Sequence, residues 1–101
     1  MNRDGIIRLL RAHERDLRAA GVASVSLFGS VARDESSSQD VDVAVRLEEN
    51  FSKPGFDYFS RLEELEQRLT EILGCPVDVV EEPVRKERFQ REIDRDRALA
   101  F

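Results

Sequence analysis

Two aspartates one residue apart, Asp40 and Asp42, open an apolar run that ends at Val45. Alternate side chains of a β-strand point to opposite faces, so both carboxylates would project from one face and Val41 and Val43 from the other. Carboxylates on one face lie ~6–7 Å apart along a strand. This spacing lets them share a pair of magnesium ions, which in two-metal sites are ~3.5–4 Å apart. The pattern therefore requires a strand with one buried face and one charged face.

A Gly-Ser pair, Gly29-Ser30, ends the preceding apolar run over residues 25–28. Because Gly29 has no side chain, a phosphate can approach the backbone closely there. Ser30 would open a short helix, whose free N–H groups and dipole attract an anion. Alone, a Gly-Ser pair is usually a turn and an Asp-x-Asp a solvated strand edge. Their order between two apolar strands favours nucleotide binding or catalysis.

A third carboxylate, Asp78, interrupts the apolar run over residues 75–80. An ionised carboxylate in a buried strand needs a partner or a metal. Asp78 could therefore lie at a sheet edge, pair with an arginine, or complete a three-carboxylate site beside the Asp40–Asp42 strand. Glu81 and Glu82 are weaker candidates, because the strand should end before Pro83.

These motifs resemble the signature of the polymerase-beta-type nucleotidyltransferase superfamily, and the short chain resembles its minimal nucleotidyltransferase (MNT) branch over about residues 20–82. The resemblance implies an α/β nucleotidyltransferase fold and magnesium-dependent transfer of a nucleoside monophosphate, AMP from ATP, to a hydroxyl. It implies nucleotide binding by Gly29, Ser30 and Arg33. It also implies that Asp40, Asp42 and Asp78 are catalytic and hold two Mg²⁺ ions. One departure from the family pattern is Asp34, which stands where relatives commonly have a glycine after the arginine.

The resemblance also implies a partner. MNT proteins are often encoded beside a HEPN-type ribonuclease toxin and act as antitoxins by adenylylating it, for which a toxin tyrosine is the first candidate acceptor. Two other functions stay open: an antitoxin that neutralises its partner by binding alone, and a nucleotide sensor. A homodimer is also compatible with the sequence.

Composition indicates one nucleotidyltransferase domain over residues 1–101, since 101 residues with 41% apolar content can bury one modest core. The net charge of −5 argues against nonspecific nucleic-acid binding, which normally needs a basic surface. Bound cations would still allow a nucleotide. A single cysteine, Cys75, and the lack of a long apolar run predict a cytoplasmic protein without membrane insertion.

Glycines and prolines separate the predicted elements. The pattern predicts a small mixed sheet of three to four strands with helices on one face and the active site on the other. We expect strands at 23–28, 41–47 and 77–81. Helices are expected at 4–20, at 56–73 and from Pro83 to about residue 97, with loops at 34–39 and 50–55. His13 is predicted to be a solvated helix residue. The apolar segment 98–101 could dock on the body or on a partner.

Overall fold

A computed structural model describes residues 2–34, 40–51 and 58–101, with only the backbone described at Asn50. The helices are α1 (Arg3–Ala12), α2 (Glu14–Ala19), α3 (Gly29–Ala32), α4 (Tyr58–Leu73) and α5 (Glu87–Asp96). The strands are β1 (Val22–Phe28), β2 (Val41–Leu47), β3 (Val77–Glu81) and β4 (Ala98–Leu99). The predicted loops over 34–39 and 50–55 fall largely outside the described residues, and so does the predicted start of α4 at residue 56.

The strands form one mixed sheet in the order β3-β2-β1-β4. β1 pairs antiparallel with β2 and with β4, whereas β2 and β3 run parallel. The predicted α/β class with a small mixed sheet is confirmed. The register has one consequence for the site: it sets Asp42 opposite Phe28 on one side and opposite Asp78 on the other.

One face of the sheet carries the main core. Val41, Val43 and Val45 are at most 3% exposed, as the alternation in β2 predicts. Helices α1, α2 and α4 cover this face with buried leucines and an isoleucine spaced four or seven residues apart: Ile6, Leu10, Leu17, Leu65, Leu69 and Leu73. This periodicity places each apolar stripe against the sheet and leaves the charged residues in solvent.

The opposite face is covered in part by α5. Ile93 of α5 is fully buried against Phe28 of β1 and Ala44 of β2, and the ring of Phe89 meets that of Phe28 edge to face at 5.8 Å. The sequence predicts a single helical layer, and α5 adds a second one on the face that also bears Asp42. Phe28 and Ala44 are the cause, because they give this otherwise polar face an apolar centre to bury.

Two helix boundaries differ from prediction. The expected helix over 4–20 is interrupted at His13, whose Nδ1 lies 3.0 Å from the carbonyl oxygen of Leu9 and whose backbone N–H bonds to Leu10. The last helix begins at Glu87 and not at Pro83, which lies in the bend after β3. No helix within the described ranges is long and apolar enough to span a membrane.

The C-terminal segment docks on the body, which answers the question left open by the sequence. β4 pairs with residues 26 and 27 of β1, and Ala100 is fully buried. Arg11 donates from Nε to the carbonyl oxygen of Ala100 at 2.7 Å. The guanidinium of Arg18 lies over the ring of Phe101, 5.1 Å from its centre. This segment therefore ties the first two helices to the edge of the sheet.

Candidate active site

The junction of β1 and α3 brings Gly29 against a carboxylate. Phe28 is extended, and Gly29, the first residue of α3, turns the chain with a φ of +72°. A Cβ built on Gly29 would lie 2.5 Å from Oδ2 of Asp42. A side chain at this position would therefore have to displace the Asp42 carboxylate, and glycine is needed for both its conformation and its size.

Two of the predicted carboxylates, Asp78 and Asp40, act electrostatically on the third, Asp42. Asp42 and Asp78 are register partners in the parallel pair of β2 and β3, and Asp40 is the residue before β2 begins. Burial raises the pKa of Asp42, and the negative charges of Asp78 and Asp40 raise it further. Repulsion of this kind is common at functional sites, where a bound cation relieves it.

The chemistry of these groups fits magnesium, which binds carboxylate oxygens. As the side chains stand, however, the part of the chain that the structure describes holds no group of three or more histidine, cysteine, aspartate or glutamate residues arranged to bind a metal ion. The residues suit the ion in kind and charge, and the three-carboxylate ligand set stays a prediction.

The two other predicted nucleotide-binding side chains belong to α3 and its C-terminal end. Ser30 is half-buried in the first turn of this four-residue helix. Arg33 is exposed and ends the helix, and its Nη1 donates to Oδ2 of Asp96 in α5 at 2.7 Å. The arginine that sequence assigns to phosphate binding is thus also an ion-pair partner of the last helix.

Asp34 takes the backbone conformation that the family's glycine would favour, with a φ of +61°. Aspartate is one of the few other residues that tolerate this region. Its Oδ1 accepts a long hydrogen bond of 3.4 Å from the backbone N–H of Arg3 in the first turn of α1. Arg3 in turn donates from Nη1 to the carbonyl oxygen of Ala32 at 3.3 Å. The carboxylate of Asp34 thus contacts the first turn of α1.

Comparison with known proteins settles the family. A model of the nucleotidyltransferase domain family matches residues 7–100. The chain belongs to this family. No curated protein matches it.

Among solved structures, this nucleotidyltransferase domain is similar to one described as a minimal nucleotidyltransferase, at 29% identity and a TM-score of 0.72, with 97% of this chain and 95% of that chain covered. It also shares its fold with a chain of a toxin–antitoxin complex with AMP-PNP, at 24% identity and a TM-score of 0.63, covering 100% and 73% of the two chains. A third match is a chain of the complex of tri-AMPylated Shewanella oneidensis HEPN toxin with MNT antitoxin, at 20% identity and a TM-score of 0.62, covering 94% and 71%. The predicted resemblance to the MNT branch is confirmed.

The nucleotidyltransferase domain has a second carboxylate cluster that sequence reasoning did not resolve. Glu82 is almost fully buried and accepts hydrogen bonds from Nη1 and Nη2 of Arg97, at 2.9 and 2.6 Å, and from Nε2 of Gln90 at 3.0 Å. Burial alone would raise the pKa of Glu82, but these hydrogen bonds and the charges of Arg97 and Arg46 hold it below its usual value. Arg97 also donates to Oγ of Ser26 at 2.9 Å. Glu82 is therefore a structural residue.

The other polar residues singled out in the sequence lie elsewhere. Glu81 accepts a hydrogen bond from the hydroxyl of Tyr58, and burial together with Glu81 raises the pKa of Tyr58 to about 12. Glu81 alternates with Val80 along β3, so it projects from the face opposite Val80 and Asp78. Cys75 is half-buried against the main core. His13 lines a groove of about 840 Å³ between α2 and α4, which none of the predicted site residues lines.

Proposed function

We propose that this domain transfers AMP from ATP to a hydroxyl of a partner protein, with a tyrosine of a HEPN-type toxin as the first candidate, and thereby acts as an antitoxin. The observation that carries the proposal is the carboxylate of Asp42, which lies against Gly29 at the head of α3 and opposite Asp78 in the sheet. The raised pKa of Asp42 supports a site whose negative charge a bound cation would balance.

In the proposed reaction the acceptor hydroxyl oxygen bonds to the α-phosphorus of ATP, the bond from that phosphorus to the bridging oxygen breaks, and pyrophosphate leaves. Gly29 leaves room for the triphosphate beside the backbone, and Ser30 offers a hydroxyl and a backbone N–H at the start of α3. Asp78 receives the proton that the hydroxyl loses. Asp40, Asp42 and Asp78 would hold two Mg²⁺ ions, which supply charge neutralisation and Lewis acidity when bound.

The choice of a protein acceptor rests on charge and on the known complexes. A chain with a net charge of −5 has no general attraction for a nucleic-acid backbone. Structural neighbours come from complexes of HEPN toxin with MNT antitoxin, and in one of them the toxin is tri-AMPylated. A further structural neighbour comes from a toxin–antitoxin structure with AMP-PNP. These neighbours support an adenylylated protein partner and ATP as the donor.

The test is intact-mass spectrometry of the partner toxin after incubation with this protein, ATP and magnesium. We expect added adenylate on the toxin with the wild type and none with Asp42→Asn, which keeps the shape of the side chain and removes its charge. The matched control is Asp16→Asn, an exposed aspartate on α2. An unmodified toxin whose ribonuclease activity is nevertheless blocked on complex formation would establish neutralisation by binding alone.

Nucleotide binding gives an independent check. Titration calorimetry should show ATP binding with magnesium and much weaker binding in EDTA, because the carboxylates repel a free triphosphate. Equal affinity under the two conditions would contradict the proposed metal site. Binding of ATP without any transfer to the toxin would support the nucleotide sensor.

A further inference from the structure

The ion pair between Arg33 and Asp96 joins two segments that are 63 residues apart in the chain. Asp96 is the last residue of α5, and its side chain is only 8% exposed, so its carboxylate is held by its surroundings. It accepts from Nη1 of Arg33 at 2.7 Å and from Nε of Arg95 at 3.2 Å. A charge-assisted contact to a largely buried carboxylate is stronger than one between two exposed side chains.

The contact acts on a segment that has little internal support. α3 is four residues long and has no side-chain hydrogen bond at its N-cap. The backbone N–H of Arg33 donates to the carbonyl oxygen of Gly29 at 3.3 Å, so Arg33 ends the same turn that Gly29 begins. Nucleation of so short a helix is unfavourable by itself. The buried side chains of Val31 and Ala32 pack α3 into the main core. Its C-terminal end is held further by contacts from Arg3 of α1 and from Asp96 of α5.

Resting on the proposed function, we infer that Asp96 is a positioning residue of the nucleotide site, which fixes the Arg33 side chain and, through it, the turn that presents Gly29 and Ser30. A long arginine side chain that is already ordered does not lose that conformational freedom when nucleotide binds. Removing the carboxylate of Asp96 should therefore weaken nucleotide affinity, although Asp96 itself need not touch the ligand.

The experiment measures the affinity for magnesium–AMP-PNP by calorimetry in the full chain. We expect Asp96→Asn to bind roughly three- to tenfold more weakly, the range for ordering one long side chain. Asp96→Glu, which restores the charge, should recover part of the loss. In transfer assays KM for ATP should rise more than kcat falls. The matched control is Asp94→Asn, which removes a carboxylate of the same helix whose partner is Arg97 at 2.9 Å, and it should bind as the wild type does.

A double-mutant cycle separates positioning from general loosening of the fold. If Asp96 acts through Arg33, Asp96→Asn should cause no further loss of affinity in an Arg33→Ala background. Additive losses, or an Asp96→Asn variant that binds as the wild type does, would overturn the inference. Urea unfolding shows which variants are folded. If Asp96→Asn does not fold, Asp96→Ser replaces it, and it too should cause no further loss of affinity in the Arg33→Ala background. A wild type that binds no nucleotide would refute the proposed function, and this inference with it.

Discussion

Gly29→Ala is the most direct test of the site, because the structure separates its two effects. The first is conformational: Gly29 has a φ of +72°, where a side chain costs about 1–2 kcal/mol. The second is steric: the new Cβ would lie 2.5 Å from Oδ2 and 3.4 Å from Cγ of Asp42. The nearest atom is the end of a side chain, so Asp42 can rotate away and the backbone need not move.

The steric part should cost about 0.5–1.5 kcal/mol, the energy of holding a side chain away from its preferred rotamer. The total loss of unfolding free energy for Gly29→Ala is then about 1.5–3.5 kcal/mol. Gly74→Ala is the matched control. Gly74 has a φ of +71°, but a Cβ there would meet nothing within 4 Å among the described residues. It should lose about 1–2 kcal/mol, so the difference of about 1 kcal/mol measures the displacement of Asp42.

The two variants should differ far more in activity than in stability. Gly29→Ala moves a carboxylate that the proposed reaction needs, so we expect transfer of adenylate to be lost, while Gly74→Ala retains it. Urea unfolding followed by circular dichroism gives the stabilities, and intact-mass spectrometry of the toxin gives the activities. Full activity in a folded Gly29→Ala protein would refute the reasoning that the position of the Asp42 carboxylate matters.

Three further predictions concern Asp42, Asp34 and the ion pair of Arg97 with Glu82. Because the pKa of Asp42 is raised in the folded state, the ionised carboxylate opposes folding above that pKa. Asp42→Asn should therefore be more stable than the wild type by up to about 1 kcal/mol at pH 7. The gain should disappear below pH 3.8, where Asp42 is protonated in both states, as thermal unfolding against pH would show. Asp34→Gly should leave the free energy of unfolding unchanged or raise it by up to about 1 kcal/mol, because the relief of a positive φ offsets the loss of one long hydrogen bond. A large fall in the free energy of unfolding, measured in urea, would contradict this. Arg97→Met should cost about 3 kcal/mol by removing the closest cation from buried Glu82, which keeps only Gln90 at 3.0 Å and Arg46 at 3.6 Å among its described partners. Combining it with Glu82→Leu should recover most of that loss in the same assay.

The elements that sequence located best are those with strong local patterns. β2 and β3 have the predicted bounds, because apolar residues at alternate positions mark β2, and Pro76 and Pro83 flank β3. The sequence predicts that Asp78 completes a three-carboxylate site on the condition that its strand lies beside the Asp40–Asp42 strand. The two strands are neighbours, with Asp42 and Asp78 in register, and the three-carboxylate site itself stays a prediction. Local sequence could therefore identify the carboxylates and could not show their arrangement.

The parts that sequence missed depend on contacts between distant segments. The mixed charges of α5 predict a salt-bridged surface helix, and nothing local shows that Arg97 enters the protein to pair with Glu82 or that Asp96 meets Arg33. The helix break at His13 has no glycine or proline to announce it. β4 is two residues long and exists because β1 offers it an edge.

The opposite pKa shifts of Glu82 and Asp42 show which of the two carboxylates has a structural role. Glu82 is surrounded by donors, so its pKa is lowered in spite of burial, and the cluster is complete within the chain. At Asp42 burial, Asp78 and Asp40 all act in the same direction and raise the pKa. Among the described residues, an arginine pairs with Glu82, whereas the charges that act on the pKa of Asp42 are those of further carboxylates. A bound cation would compensate the negative charge at Asp42. A divalent cation brought with the triphosphate is the group that would do so, which is why the Asp42 cluster, rather than Glu82, is the one to test for function.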